Sequence, residues 1–307
     1  MKISVVTTVY YSQDYLQEFY TRTRKSVLSI TDEYEFIFVN DGSPDDSLQL
    51  LLQIQDTDKN VVIIDLSRNF GHHKAIMTGL RFSNGDYVYL IDCDLEEDPE
   101  LLIPFWEEIT KSADTDVIFG IQRKRKGGVF ERVSGKLFYS IFSLLTNIEY
   151  PHDTLTARIM SRRYVQGIDK YSEKELDIWG LFVLNGFNQK GVHVKKRSKG
   201  KSTYTLKKKL RMAVDTITSF SSRPLYLIFV VGLFVMAFSF LNILYIIYQK
   251  IVWGKEIEGW ASILASVWLI GGLVIFILGI IGIYLSKLFL EIKNRPLTII
   301  KEIYKQP

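Results

Sequence analysis

The chain has one cysteine, Cys93, among 307 residues, so it can form no internal disulfide, and a reducing compartment is expected. It has no Gly-x-Gly-x-x-Gly after its first strand-like segment. Thr7-Thr8-Val9-Tyr10-Tyr11 stands there instead, which disfavours a dinucleotide-binding fold. Met1-Lys2-Ile3-Ser4-Val5-Val6 runs straight into a strand pattern without a small-residue cleavage site, so no signal peptide is expected. Internal repeats and low-complexity segments are also lacking. A net charge of only +4 does not suggest a nucleic-acid partner. Two stretches, Pro224–Gln249 and Gly259–Ser286, lack Asp, Glu, Lys and Arg altogether. A helix needs roughly 20 apolar residues to cross about 30 Å of hydrocarbon, so each is long enough to span a bilayer. Buried core helices are rarely this long and apolar on every side.

The charges that flank these stretches suggest a topology. Lys207, Lys208, Lys209, Arg211 and Arg223 precede the first, and Lys287, Lys293, Arg295, Lys301 and Lys305 follow the second. The connection from Lys250 to Glu258 carries two lysines and two glutamates. The positive-inside rule then puts both termini in the cytoplasm and the connection outside. The basic residues cluster beside the membrane, where anionic lipid would attract them.

Before these spans, strand-like and helix-like segments alternate. Ile3–Tyr10, Glu35–Asn40, Val61–Leu66, Tyr87–Ile91 and Val117–Gly120 are short and continuously apolar, as expected of strands buried on both faces of a parallel sheet. Tyr15–Ser29, Ser47–Gln55, His73–Phe82 and Pro99–Lys111 read as helices. Asp45 or Asp46 suits the start of the second, and Asp98-Pro99 the start of the fourth. This alternation predicts an α/β layer fold, with ligands at the carboxyl ends of the strands. Phe130–Leu145 reads as an amphipathic helix and Val192–Lys196 as a further strand. Leu206, Leu210, Val214, Ile217 and Phe220 form an apolar stripe beside a basic run, the pattern of a helix lying in the membrane interface or packed on the soluble domain.

Chemistry is concentrated at the strand ends. In Asp92-Cys93-Asp94 an extended backbone would send both carboxylates to one side and Cys93 to the other. Paired hard oxygen ligands with room for water and phosphate suit Mg²⁺ or Mn²⁺, although a lone Asp-x-Asp also suits a solvated turn. Asn40-Asp41-Gly42-Ser43 ends an earlier strand, where an acid could hydrogen-bond a ribose or base. Ser67-Arg68-Asn69-Phe70-Gly71-His72-His73-Lys74 puts a glycine and basic side chains, including Arg68 and Lys74, at the start of a helix, which suits a diphosphate.

Taken in order, these segments resemble the family 2 inverting glycosyltransferases of GT-A fold, and within them the polyprenyl-phosphate glycosyltransferases, the group of dolichol-phosphate mannose synthase and its bacterial relatives. The resemblance runs through Ser4–Tyr10, Phe38–Ser43, Leu66–His72, Asp92–Leu95, Asp98–Glu100, Lys201–Tyr204 and Ile217–Leu225, and covers nearly the whole chain. It implies that Thr8, Tyr10, Asp41 and Arg68 line the nucleotide. Asp92 and Asp94 would hold the metal and diphosphate, with Glu96, where many relatives carry Gln, as a third ligand. Arg123 and Arg125, or Arg132, would neutralise donor or lipid phosphate. Lys201 and Tyr204 would lie near the diphosphate and the membrane surface.

The chain departs from the family pattern in several places. Thr8 replaces the usual Pro, Tyr11 the usual Asn, and Trp179-Gly180-Leu181 an Arg-Gly-Leu. The acceptor-side motif, often Asp-x-Gly-Asp-Phe-Arg-Leu, reads Asp153-Thr154-Leu155-Thr156-Ala157-Arg158-Ile159. Arg158 is retained for substrate binding. The second Asp, a candidate base in relatives, is Thr156, and Asp153 becomes the substitute. A lipid monophosphate is already mostly anionic at pH 7 and needs little help from a base. Catalysis is thereby expected of Asp94, Arg123 and Asp153.

The expected architecture is α/β: a GT-A-like mixed, mostly parallel sheet with flanking helices over 1–204, an interfacial amphipathic helix over 205–223, a transmembrane hairpin over 224–249 and 260–286, and a cytoplasmic tail over 287–307. The expected reaction transfers sugar from a nucleotide-sugar, a UDP-sugar by the resemblance, to polyprenyl phosphate at the cytoplasmic face of a bacterial inner membrane. Further expected partners are the bilayer, a second copy packed on the glycines of the second span, and a flippase for the product. The rivals are an anchored transferase acting on a saccharide and a non-catalytic nucleotide-sugar-binding scaffold.

Overall fold

A computed structural model describes residues 1–122, 154–174, 177–194, 217–218, 221–253 and 259–306. The strands are β1 (Ile3–Val9), β2 (Tyr34–Asn40), β3 (Val61–Leu66), β4 (Tyr87–Leu90), β5 (Val117–Gln122), β6 (Thr154–Ser161), β7 (Gln189–Val194) and β8 (Ile300–Lys305). The helices are α1 (Leu16–Leu28), α2 (Ser47–Thr57), α3 (His72–Phe82), α4 (Leu102–Thr110), α5 (Arg162–Asp169), α6 (Ile178–Leu184), α7 (Arg223–Trp253) and α8 (Trp260–Ile292). A single 3₁₀ turn, Pro99–Leu101, leads into α4. Every strand and helix expected before residue 122 is present, with ends shifted by a few residues. The expected strand over Val192–Lys196 is β7, which starts earlier, and its expected last residues, Lys195 and Lys196, lie outside the described residues, as does Phe130–Leu145.

The eight strands form one sheet in the order β7-β5-β6-β4-β1-β2-β3-β8. β4, β1, β2 and β3 run parallel, β7 runs parallel to β5, and β6 and β8 are antiparallel to their neighbours. The sheet is therefore mixed and mostly parallel, as expected. Alternation along each strand divides the core into two layers. Val5, Phe36, Phe38 and Ile63 pack with Leu16, Phe19, Leu51, Leu102 and Phe105 of α1, α2 and α4. Val6, Ile37, Val39 and Ile64 pack with Ala75, Ile76 and Leu80 of α3, and this layer continues to Tyr164, Ile168, Leu181 and Phe182 of α5 and α6. Both faces are covered, which is why the central strands read as unbroken apolar runs.

The C-terminal segment departs from the expected tail. α8 continues to Ile292, and β8 pairs antiparallel with β3 from Val62↔Lys305 to Leu66↔Ile300. Residues 295–307 accordingly group with the sheet-bearing unit. Its side chains are mostly exposed, so Ile300–Lys305 reads as polar tail even though its backbone completes the sheet.

The second unit takes 205–294, together with 137–147. Its helices α7 and α8 are long and apolar enough, over Arg223–Asn242 and Ser266–Ile292, to cross a membrane. The Tyr284 hydroxyl on α8 donates to the Ser221 carbonyl at 2.6 Å, just before α7.

Carboxylates inside the sheet-bearing unit set its acid response. Burial alone would raise the pKa of Glu35, but hydrogen bonds from Lys2, Ser4 and Asn84 bring it below the ordinary value. Burial likewise opposes, and hydrogen bonds outweigh it, at Asp58 (from Tyr20, Asn60 and Tyr34) and at Asp116 (from Arg163 and Ser161). The unfolded chain therefore takes up protons first as pH falls through about 4. Stability is fully present above that value and is lost as pH drops toward the depressed native values. Thermal melts should show a falling transition temperature between pH 5 and pH 3, with a shallower fall in Glu35→Gln.

Candidate active site

The chain moves from β1 outward through β2 and β3, then returns to place β4 on the other side of β1. The carboxyl ends of β1 and β4 thus flank a topological switch point, the usual ligand crevice of an open α/β sheet. Four polar residues meet there. The Thr8 hydroxyl at the end of β1 lies 3.0 Å from His72 Nδ1, at the first position of α3. His72 Nε2 lies 3.6 Å from Asp92 Oδ1, just past β4. The Thr156 hydroxyl of β6 donates to Asp92 Oδ2 at 2.7 Å.

β4 stops at Leu90, and a turn begins at Cys93, where Leu95 adopts φ +61°; Asp92 precedes this turn and Asp94 lies on it. Both side chains are half-buried, and Asp94 Oδ1 accepts the Glu96 N–H at 2.9 Å. Cys93 does separate from them as expected. It is 3% exposed, its thiol faces the Thr8 carbonyl at 3.2 Å, and burial pushes its pKa up to about 12. A thiol so placed supplies no thiolate nucleophile near neutral pH.

Asp41, expected against a ribose or base, is 3% exposed and braces the neighbouring loop. Its two oxygens accept the backbone N–H groups of Phe70 at 2.7 Å and Gly71 at 3.0 Å. Burial raises its pKa against the pull of these two donors and of the His72 and Arg68 charges. Gly42 makes this packing feasible. It has φ +62°, and a Cβ there would lie 2.5 Å from the Arg68 carbonyl carbon. Arg68 remains exposed, its guanidinium 4.3 Å from the Phe70 ring centroid, and Lys74 sits in the first turn of α3. Tyr10, 45% exposed, meets Tyr11 edge-to-face at 4.7 Å. Tyr11 has φ +52°, and its N–H donates to Ser43 Oγ at 2.8 Å, linking the ends of β1 and β2. Thr8, Tyr10, Asp41, Arg68, Asp92 and Asp94 thus lie at strand ends or in the segments that follow them, and Lys74 lies in the first turn of α3.

Arg158 does not join them at the surface. It is 2% exposed, donates to the Leu155 and Thr156 carbonyls, and packs its guanidinium 3.8 Å from the Phe182 ring centroid and 4.9 Å from that of Trp179. A cation held by carbonyls and aromatic faces supports the β6–α6 layer. Trp179 and Phe182 of α6 supply those aromatic faces. Arg123, Arg125, Arg132, Asp153, Lys201 and Tyr204 lie outside the described residues.

Among the described residues, no three His, Cys, Asp or Glu side chains are grouped to hold a metal ion, so Glu96 does not form a three-carboxylate cluster with Asp92 and Asp94. The donors that are present, two half-buried carboxylates just past β4, still fit a hard divalent cation. Mg²⁺ characteristically takes one or two protein carboxylates and completes its shell with water and substrate phosphate.

The glycosyl transferase family 2 model matches residues 4–168, which contain all of this geometry up to β6. The chain belongs to glycosyl transferase family 2. A Mycobacterium tuberculosis protein named as a glycosyltransferase is 45% identical over 304 residues, which cover 99% of this chain and 89% of its own length. A Shigella flexneri protein named as a prophage-derived bactoprenol glucosyl transferase is 31% identical, over 99% of each chain. The crystal structure of S. aureus TarS 1–349 with UDP-GlcNAc is 19% identical over 71% of this chain and 66% of its own, with a TM-score of 0.47. The protein is a family 2 glycosyltransferase with a GT-A-like α/β domain and two long apolar C-terminal helices.

The sequence reading took His72 only as a basic, hydrogen-bonding residue of the 67–74 segment, and it passed over Glu97. His72 sits within the Leu66–His72 segment, but its link between Thr8 and Asp92 depends on where α3 begins. Glu97 is 1% exposed and accepts the backbone N–H groups of Thr156 and Ala157. In the run Glu96-Glu97-Asp98, composition does not mark which acid turns inward.

Proposed function

We infer that the protein moves a sugar, with inversion, from a UDP-sugar to polyprenyl phosphate at the cytoplasmic face of the membrane. The observation that carries this reading is full-length likeness to a bactoprenol glucosyl transferase, in a chain with two helices fit to cross a membrane. The charge pattern around those helices supports a cytoplasmic catalytic domain in a bacterial inner membrane. The proposed layout is a soluble domain over 1–204 joined by β8, an interfacial helix over 205–223, and a hairpin over 224–249 and 260–286. A second copy and a flippase that consumes the product are the partners proposed with it.

The lipid phosphate oxygen attacks the anomeric carbon, the bond to the nucleoside diphosphate breaks, and the diphosphate leaves with the electron pair. The nucleophile is already an anion near pH 7, so positioning contributes most of the rate. Asp92 and Asp94 would hold a divalent cation, Mg²⁺ or Mn²⁺. Such a cation stabilises the negative charge that develops on a departing diphosphate. The Asp41-braced 68–71 loop presents Arg68 and the start of α3 to the phosphates, and Tyr10 offers an aromatic face to the base. Arg123, Arg125 or Arg132, with Lys201 and Tyr204, would meet the lipid phosphate, and Asp153 is the proposed base.

Purified full-length protein in detergent, given Mg²⁺ and a panel of sugar nucleotides, should release nucleoside diphosphate much faster when undecaprenyl phosphate is added. Release driven equally well by a soluble glycan would move the acceptor from lipid to saccharide.

A further inference from the structure

The pairing of β5 with β6 is irregular beside Asp92. Phe119 pairs with Arg158, but the next pair is Ile121 with Thr154, so two steps along β5 match four along β6. The surplus residues of β6 include Thr156 and Ala157. On the other side β4 gives no help, because its pairing with β6 stops at Leu90↔Arg158. Such a bulge leaves backbone N–H groups without ladder partners and re-aims a side chain. Buried unpaired N–H groups are costly. Glu97 takes both, with Oε1 accepting from Thr156 at 3.1 Å and Oε2 from Ala157 at 2.6 Å. The bulge capped in this way directs the Thr156 hydroxyl onto Asp92 Oδ2 at 2.7 Å, while Asp92 Oδ1 faces His72.

We propose that Thr156 is a positioning residue that fixes the rotation of the Asp92 carboxylate, so that Oδ1 is presented to a divalent cation carrying the donor diphosphate, and that Glu97 holds Thr156 in place by capping the bulge. The proposal rests on the metal and nucleotide part of the reading above, not on its acceptor. Thr156 donates to a carboxylate and is no base; its contribution is to orient its neighbour. Partners that orient a metal-binding carboxylate typically contribute 10–100-fold in affinity or activity.

The test is Mn²⁺ binding to the full-length protein in the presence of UDP, read as free Mn²⁺ by electron paramagnetic resonance. Thr156→Val keeps the side-chain shape and loses the donor. It should weaken Mn²⁺ binding about tenfold and lower transfer by a similar factor. Thr156→Ser restores the hydroxyl and should bind within about twofold of wild type. Glu97→Gln, which replaces one acceptor oxygen by a donor, should weaken Mn²⁺ binding in the same direction as Thr156→Val. Wild-type binding in Thr156→Val, equal losses in the Val and Ser variants, or no Mn²⁺ binding by wild type would each overturn the proposal. Wild type that binds Mn²⁺ and UDP but transfers nothing to polyprenyl phosphate would sink the acceptor reading and leave Thr156 in its role.

Discussion

Asp94→Ala should lower sugar transfer by about 10²–10³-fold while the fold melts within a few degrees of wild type. The magnitude is that of removing one group that stabilises developing charge. Asp94 lies on the turn after β4, and the described partner of its Oδ1 is the Glu96 N–H, a bond that shapes the turn without burying the residue. Stability therefore has little to lose. Chemistry loses one of two anionic oxygen donors at the switch point, and with it much of the hold on a cation and the departing diphosphate. Asp94→Asn keeps an acceptor for Glu96 but no charge, and should be nearly as inactive as Ala. Product formation and thermal melts on the same preparations check both. A variant that retains more than about a tenth of wild-type turnover would remove Asp94 from the centre of the mechanism.

The second large effect is on stability. A chain ending at Asn294 should lose about 4 kcal/mol from the sheet-bearing unit, from several ladder hydrogen bonds at about 1 kcal/mol each and the burial of one leucine. The deletion removes β8 and its ladder to β3. It also removes Leu297, 8% exposed, the Ile299 carbonyl that accepts from Ser67 N–H at 2.9 Å, the Tyr304 carbonyl that accepts from Gln55 Nε2 at 2.8 Å, and the Thr298 hydroxyl 2.9 Å from that of Thr78. For a unit of this size, that loss corresponds to a transition lowered by about 10 °C. Donor binding should suffer as well. Asp65, paired with Lys301 at 3.3 Å, also holds Asn40 at 2.7 Å, one residue before Asp41. Thermal unfolding in a common detergent checks the first claim and the donor KM the second. An unchanged transition would mean that β8 adds little to the unit.

The same contrast explains what was readable beforehand. β1 to β5 were legible because both faces of these strands are buried, and nothing but unbroken apolar side chains satisfies two covered faces. β8 escaped because an edge strand is held by backbone groups, and Ile-Lys-Glu-Ile-Tyr-Lys reveals no backbone pairing. At the site, Asp41, Asp92 and Asp94 stood out as acids ending apolar runs. Their separate duties did not, because Asp41 becomes a brace only once the 68–71 loop folds back over Gly42. Thr156 looked like a loss, a missing acid, until the bulge in β6 put its hydroxyl on Asp92. Arg158 was visible as a motif residue, but its burial against Trp179 and Phe182 depends on α6, a seven-residue helix whose Ile-Trp-Gly-Leu-Phe-Val-Leu sequence is too uniformly apolar to reveal a period.

The most direct test of a lipid acceptor is partition. Purified protein with Mg²⁺ and undecaprenyl phosphate would be given each common sugar nucleotide in labelled form, and the label followed into organic solvent. The account predicts organic-phase label from one donor, lost in Asp94→Ala. Label that stays in the aqueous phase with every donor, while nucleotide is still released on adding cell-envelope glycan, would contradict it.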